Sequence, residues 1–388
     1  MFHAPAIRSF LTVRLLLLSV FLLSGCSDSS EFKPSGKSIN VGVIGDYSGK
    51  YRVEGINSLE GVQAAKKSEP FLRNGDELVI VSREEGKTPA ETRNIIREFV
   101  EEHDISALLL GSVSDSILAV KDTIEEIGVP TIAIVATHAD VTSETEFINQ
   151  LCFTDTQQAQ VAALFVRDEL LLRKSAVVYD PDRTYSANIA YVFRDKFKST
   201  GGVITGFHKY GEFQDDALKL LAQAGTEMLY LPLDASEIIA IVDRLNEMDW
   251  DPALMGTDGL LANVVKRHPG NADDLERMYS TDVIAYQGEF VKVNPLGRKA
   301  ARTFSSLFGR DADSYNALGV EAYAVLQDAM NRCHSARDKE CVRNKIRSTK
   351  DFKGVISRLS IGSDGKAVRP VFVNQIKNGK LASVVKVY

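Results

Sequence analysis

A regular alternation of predicted strands and helices over residues 38–256 constrains the fold of this 388-residue chain more than any other feature. Short apolar runs predict strands, and between them apolar residues recur at helical spacing. Strands separated by helices pair in parallel, because each helix returns the chain to the end where the next strand begins. We therefore predict an α/β fold whose parallel sheets are covered by helices on both faces.

Two such runs follow each other, at about residues 38–153 and 154–282, and each is the size of one lobe of a protein. Three further helices are predicted after them, and two terminal strands flank the turn at Asn378 and Gly379. The chain is long enough for two or three domains, so the pattern predicts two doubly wound lobes.

The most informative stretch is residues 105–142, which reads as strand, loop, helix and strand. One strand covers residues 107–110, the helix begins near Ser114, and a second strand at 131–136 leads into Thr137. Both strands would end in hydroxyl-rich loops at one sheet edge, which is where open α/β sheets bind ligands. The free N–H groups of a helix start suit a carboxylate, although Ser and Asp there also serve simply as caps.

The N-terminal segment has the pattern of an export signal. Two arginines precede the apolar run at residues 15–23, which is too short to span a bilayer. The following Leu-Ser-Gly-Cys resembles a bacterial lipobox, so we predict a signal peptide at 1–26, lipid on Cys26 and a flexible tether at 27–37. An uncleaved anchor and a simple signal peptide are the alternatives. Ser27 is not the Asp that favours inner-membrane retention in Gram-negative lipoproteins, which leaves the membrane undetermined.

Cysteine spacing predicts one disulfide. Cys333 and Cys341 lie eight positions apart, and an exported protein folds in an oxidising compartment. A metal site is the weaker interpretation, because only His334 lies nearby. Cys152 stands in an apolar segment and is predicted to be a buried thiol.

Composition and motifs exclude several classes. The net charge of −6, which becomes −8 without the two leader arginines, gives no indication of nucleic-acid binding. The residues 86–88 imitate the end of a P-loop, but Val81 replaces its first glycine; residues 45–49 are not a nucleophile elbow. The scattered histidines form no zinc-protease motif. We predict no enzyme activity, no cofactor, no metal and no transmembrane helix after the signal.

An ordered set of segments resembles a known family. They are INVGVIGDYSG, EEGKTPAETRNIIREFV, residues 110–142, VVYDPDRTYS, MLYLPLDASE, LMGTDGL, SYNALGVEAYAVLQDAM and FKGVISRLSIGSDG. In this order they resemble type I periplasmic binding proteins of the Leu/Ile/Val-binding group, which are solute receptors of ABC transporters. The resemblance implies two lobes joined by three crossovers that close on a ligand like a hinge. The lobes would comprise residues 38–154 with 283–354, and residues 155–282 with 355–388.

The resemblance also implies which residues hold an amino-acid ligand. Counting back from Gly128 puts Ser114 at the family's carboxylate-binding serine, whereas counting from Gly111 puts Asp115 there. The remaining implied contacts are Val135, Ala136 and Thr137 for the carboxylate, Tyr185 as the aromatic lid and Asp258 for the ammonium group. From its context alone, Asp258 could equally be a turn residue.

Three acidic residues depart from the family pattern. Glu54 stands where many members have an aromatic residue, and Asp234 stands where an aromatic or small residue often lines the second lobe; Asp115 adds another possible charge. If they face the cleft, the variable end of the ligand is polar or cationic; if they face water, they carry no information about it.

These observations predict a lipid-anchored receptor at the extracytoplasmic side of a membrane. It would bind an amino acid, an amide or a similar small molecule and deliver it to an ABC permease in the inner membrane, with Cys26 as the membrane anchor. The alternative is a lipid-anchored regulatory or interaction protein of the cell envelope that uses the same fold without transport.

Overall fold

Strands and helices alternate in the computed structural model as the sequence predicts, and the structure describes residues 33–268, 275–284 and 295–387. The predicted signal peptide and Cys26 lie outside the described residues. The strands β1 to β15 are Ser38–Gly45, Glu77–Glu84, Ile105–Leu110, Thr131–Ala133, Ile148–Gln150, Lys174–Tyr179, Val203–Lys209, Met228–Tyr230, Ala253–Gly256, Met278–Asp282, Phe352–Lys353, Arg358–Ile361, Ala367–Val368, Phe372–Lys377 and Lys380–Val387. The α-helices α1 to α12 are Arg52–Ser68, Pro89–Glu102, Ser114–Leu118, Lys121–Ile127, Asp155–Asp168, Thr184–Ser199, Asp215–Gln223, Ala235–Glu247, Leu260–Arg267, Pro295–Phe308, Ser314–Asn331 and Lys339–Arg347.

Two main sheets organise the molecule. The first has the order β2-β1-β3-β4-β5 and is parallel throughout. The second has the order β15-β14-β10-β9-β8-β6-β7, in which β14 is antiparallel to both of its neighbours, β10 and β15, and the other pairings are parallel. We call each sheet with its packed helices a lobe. The predicted α/β fold with two doubly wound sheets is confirmed.

Both faces of the first sheet are buried. Along β3, Ala107 and Leu109 pack in one hydrophobic cluster with Val62 of α1, whereas Leu108 and Leu110 pack in another with Phe99 of α2. Side chains alternate across a strand, so each face needs its own layer of helices. This explains why β3 is apolar at nearly every position.

The chain passes between the sheets three times, after β5, after β10 and before β14. The third passage between the sheets comes later in the chain than the lobe boundary predicted at residue 354. Gln150 N of β5 donates to Gly365 O at 2.8 Å, and Arg347 donates to Ser363 O at 3.0 Å, so the small β11-β12-β13 sheet lies against the first sheet. These contacts favour a boundary near Arg369.

The helix predicted after Ser114 is divided into α3 and α4. The Arg93 guanidinium of α2 donates to the carbonyl of Ala119 at 2.6 Å, and Thr123 N bonds instead to Val120 O. A side chain from another helix thus occupies the acceptor needed for a continuous helix. The following strand also ends earlier than predicted, at Ala133.

Helices α1 and α11 approach each other through glycine. A Cβ on Gly319 would lie 2.2 Å from Ser58 O, and one on Gly61 would lie 2.1 Å from Asn316 O. Backbone cannot yield as a flexible side chain can, so the small residues set this close approach.

We expect Gly319→Ala to destabilise the protein by about 1–3 kcal/mol, the usual cost of overpacking. Urea unfolding monitored by circular dichroism measures the change. Gly211→Ala is the matched control, since a Cβ there meets nothing within 4 Å, and its free energy of unfolding should stay within about 0.5 kcal/mol of wild type. Equal stability of the two variants would show that the helices separate without cost.

The predicted disulfide is confirmed. Cys333, after α11, and Cys341, in α12, are bonded with their Cα atoms 5.9 Å apart. Cys152 is a free, fully buried thiol, as predicted. Among the described helices, none combines the length and the apolar character needed to cross a bilayer.

Candidate functional site

A cavity of about 200 Å³ lies between the two sheets. This volume is below the ~300–1,000 Å³ of pockets for drug-sized molecules, which favours a small ligand. Its walls follow the carboxyl ends of strands in both lobes, where open α/β sheets bind ligands. The lining residues are Lys50, Tyr51, Val53, Glu54, Val113, Ser114, Asp115, Val135, Thr137, Arg183, Tyr185, Leu233, Asp234, Ala235, Ser236, Thr257, Asp258, Gly259, Leu260, Asn263, Arg267 and Tyr315.

Hydroxyl groups form the wall of the first lobe. Ser114 Oγ accepts the backbone N–H groups of Thr137 and His138, both at 3.2 Å, and its own proton remains available to another acceptor. Thr137 lies beside it and shares a hydrogen bond with Asp155. Ser114 and Asp115, the two alternatives for the carboxylate-binding position, both line the cavity.

Ala136 does not line the cavity. It is buried in the hydrophobic cluster behind the wall, and its carbonyl accepts from Gln150 Nε2 at 3.2 Å. Val135 and Thr137, on either side of it, line the cavity. The helix that starts at Ser114 has only five residues, which reduces the dipole contribution expected from a continuous helix.

Asp258 forms the acidic wall of the second lobe. Tyr185 Oη donates to Asp258 Oδ1 at 2.8 Å, which orients the carboxylate at the end of β9. Burial raises the pKa of Asp258, and hydrogen bonds from Gln158 and Tyr185 partly offset that shift. A carboxylate held in this way is suited to a cationic group, because the ion pair would form away from water.

Two further acids lie close to Asp258 and were missed by sequence reasoning. Asp155 and Asp282 are fully buried, and burial raises the pKa of each to about 7. The signals were weak: Asp155 resembles an ordinary acid in the first turn of a helix, and Asp282 ends a strand that contains Ser280 and Thr281 and is too polar to predict. No group of three or more His, Cys, Asp or Glu side chains in the described part is arranged to hold a metal ion.

Charged residues from both lobes also line the cavity. Asp234, after β8, pairs with Arg183 at 2.6 Å and with Lys50, after β1, at 3.1 Å. Arg183 also lies 5.8 Å from the ring centroids of Tyr51 and Tyr185. The Lys50–Asp234 pair therefore spans the cleft from one lobe to the other.

All three acids that depart from the family pattern face the cavity. Besides Asp234, Glu54 is half-buried there, and burial, with the nearby Asp234 charge, raises its pKa to about 7. Asp115 Oδ1 is buried without a hydrogen-bond partner among the described residues. These three acids therefore make the lining of the cavity polar.

Comparison with known proteins agrees with this architecture. A family model described as periplasmic binding protein matches residues 38–380. The Leu/Ile/Val-binding protein homolog 3 of Brucella melitensis is 22% identical over 343 residues, which cover 86% of this chain and 90% of that protein. The leucine-binding protein LivK of Thermotoga maritima has a TM-score of 0.80 at 25% identity, covering 90% of this chain and 98% of that one. The transporter substrate-binding protein LivJ of Streptococcus pneumoniae, solved with isoleucine, gives 0.78 at 20% identity, covering 91% and 100%.

The family match spans nearly the whole described chain, from β1 into β15. The family and the structural neighbours are solute-binding proteins rather than enzymes, so the prediction that this protein is not an enzyme is confirmed. The chain belongs to the periplasmic binding proteins, as a type I member of the Leu/Ile/Val-binding group.

Proposed function

We propose that the protein is a lipid-anchored solute receptor of an ABC importer, which binds an amino acid or a similar small molecule between its lobes. One observation carries this proposal. The hydroxyls of Ser114 and Thr137 and the half-buried carboxylate of Asp258 line the same small cavity from opposite lobes. A zwitterion needs donors at its carboxylate and an anion at its ammonium group, and this pairing supplies both.

In the proposed complex the ligand carboxylate accepts hydrogen bonds from Ser114 and Thr137, with Val135 contributing backbone. The ammonium group lies against Asp258, which Tyr185 orients through its hydroxyl. Asp234 would not hold the ammonium group, because its two oxygens are engaged by Arg183 and Lys50. Ligand binding between lobes joined by three passages would proceed with hinge closure.

Lipid attachment at Cys26 and transfer to an inner-membrane permease are the finer parts of the proposal. The lipobox-like sequence before Cys26 supports the anchor, and the extracytoplasmic location of the family supports export. We propose that the tether at 27–37 joins the anchored cysteine to the folded lobes.

A thermal-shift screen of the full-length protein in detergent tests the receptor function. The panel contains the twenty L-amino acids and their side-chain and backbone amides. A ligand at one hundred times its dissociation constant should stabilise the protein by about 2.7 kcal/mol. If every member of the panel leaves the melting temperature unchanged at millimolar concentration, the receptor function is wrong and the regulatory or interaction protein becomes the better hypothesis.

A further inference from the structure

Three acidic residues interact beside the cavity. Asp258 lines it, and Asp155 and Asp282 are fully buried; we call the three the acidic cluster. The negative charge of Asp258 acts on both buried neighbours and contributes to their raised pKa values. The three come from separate elements, α5, the loop after β9, and β10, so the fold itself brings them together.

Each carboxyl is held by neutral donors. Asn188 Nδ2 donates to Asp155 at 3.3 Å, Tyr185 Oη donates to Asp258 at 2.8 Å, and Gly259 N donates to Asp282 at 3.3 Å. Gln158 links the cluster further by a hydrogen bond to Asp155 at 3.4 Å. No Lys, Arg or His side chain in the described part of the chain lies within 4.0 Å of any of the three carboxyls. Among the described residues the cluster therefore lacks a positive counter-charge.

The other titratable groups that face the cluster are neutral. Burial raises the pKa of the phenols and of the thiol, which keeps each of them protonated; they are Tyr185 on α6, Tyr230 on β8, Tyr315 on α11 and Cys152 after β5. Tyr230 Oη is also buried without a hydrogen-bond partner among the described residues. The Arg369 guanidinium, which acts on Cys152, is paired with Glu321, and the Arg183 guanidinium near Tyr185 is paired with Asp234.

Carboxylates buried together cannot all be ionised, because each negative charge disfavours the next. The protons that they share belong to the group as a whole rather than to one residue. A cationic ligand group beside Asp258 would supply the missing positive charge and make full ionisation favourable. The displaced proton would leave for solvent, so that one cation enters as one proton departs and the charge of the site is balanced.

We propose that the acidic cluster of Asp155, Asp258 and Asp282 binds the cationic group of the solute in exchange for a proton, which couples uptake to pH. This inference rests on the proposed receptor function. It adds that the solute must carry a cationic group and that its binding is linked to the release of a proton. A solute without a cation would neither release a proton nor gain from the cluster.

The sign of the pH dependence follows from this exchange. The ionised cluster is the form that binds a cation, so affinity is full above the pKa of about 7 and falls as the pH drops below it. For each proton that the ligand must displace, the affinity falls by up to about tenfold per unit of pH below the pKa. Glu54 titrates in the same range and also lines the cavity, so Glu54→Gln must keep the pH dependence if the cluster is its source.

Isothermal titration calorimetry of the full-length protein in detergent measures the exchange. The probes are L-leucine, L-glutamine and L-ornithine, which share an α-ammonium group, and benzoate, which lacks it. At pH 7, titrations in phosphate and in Tris should differ in heat by the release of about one proton per ammonium-bearing probe bound. Between pH 7 and pH 6 the affinity should fall by about tenfold, and benzoate should show neither effect.

Single-carboxyl variants locate the proton. Asp155→Asn and Asp282→Asn should each reduce proton release towards zero and make the affinity less dependent on pH. Two variants are used so that the test still works if one of them does not fold. Asp216→Asn is the control, because its side chain is 94% exposed on α7, and it should match wild type. Binding of an ammonium-bearing probe without proton release would overturn this inference and leave the receptor function intact. Binding of benzoate alone would overturn the cation requirement. Failure of these probes and of every member of the thermal-shift panel to bind would overturn both proposals.

Discussion

Replacing Asp258 with asparagine should weaken the binding of an amino acid by about 2–5 kcal/mol, the scale for removing one side of a buried charge pair. The ligand ammonium would then enter a site that no longer carries the charge of Asp258, and burying an unpaired cation is costly. The introduced amide would keep the shape of the side chain and an acceptor for the Tyr185 hydroxyl. Folding should therefore be little affected.

Calorimetric titration with the best ligand from the thermal-shift screen measures this loss. Ser114→Ala is the comparison variant and should cost less, about 1–3 kcal/mol, because the hydroxyl of Thr137 remains at the carboxylate end. Wild-type affinity in Asp258→Asn would refute the assignment and direct attention to Asp115, whose buried Oδ1 has no partner among the described residues.

Glu321→Gln should destabilise the folded protein by about 3–5 kcal/mol, the usual result of breaking a buried ion pair by removing one charge. Arg369 Nη1 donates to Glu321 Oε2 at 2.7 Å, and both side chains are 0% exposed. The same guanidinium nitrogen donates to Leu151 O at 3.1 Å, and Glu321 accepts from Ile356 N at 3.3 Å. The pair thus fastens the first and third passages between the lobes to α11.

Urea unfolding measures the free energy of unfolding of Glu321→Gln, which breaks a buried ion pair, and of Glu126→Gln, which breaks an exposed one. Glu126 pairs with Arg97 at 2.8 Å, and the two side chains are 69% and 45% exposed. Loss of that surface pair should cost under about 1 kcal/mol. A similar small loss in Glu321→Gln would mean that the protein relaxes around Arg369 or admits water to it.

Local sequence signals were sufficient for most of the fold. The helix predicted at 185–200 is Thr184–Ser199, and the one predicted at 236–248 is Ala235–Glu247. In both, apolar spacing reflects a face that packs on the sheet, and such spacing can be read along the chain. The break between α3 and α4 could not be predicted, because the Arg93 side chain that causes it comes from α2.

The residues of the candidate site that follow the ends of strands could be predicted from the sequence. Those whose role depends on contacts between distant parts of the chain could not. Thr137 and Asp258 follow strands in a recognisable order, and both line the cavity. The burial of Asp155 and Asp282 arises only when α5, β10 and the loop after β9 meet. Likewise, nothing local to Asp234 indicates that Lys50 from the other lobe and Arg183 would occupy both of its oxygens.

A crystal structure of the protein with the most tightly bound amino acid of the screen tests most directly whether the interlobe cavity is the binding site. We predict ligand density between the lobes, with the carboxylate within hydrogen-bond distance of Ser114 Oγ and Thr137 Oγ1 and the ammonium group against Asp258. Ligand density outside this cavity, or a ligand inside it whose ammonium group makes no contact with Asp258, would contradict the proposed mode of binding.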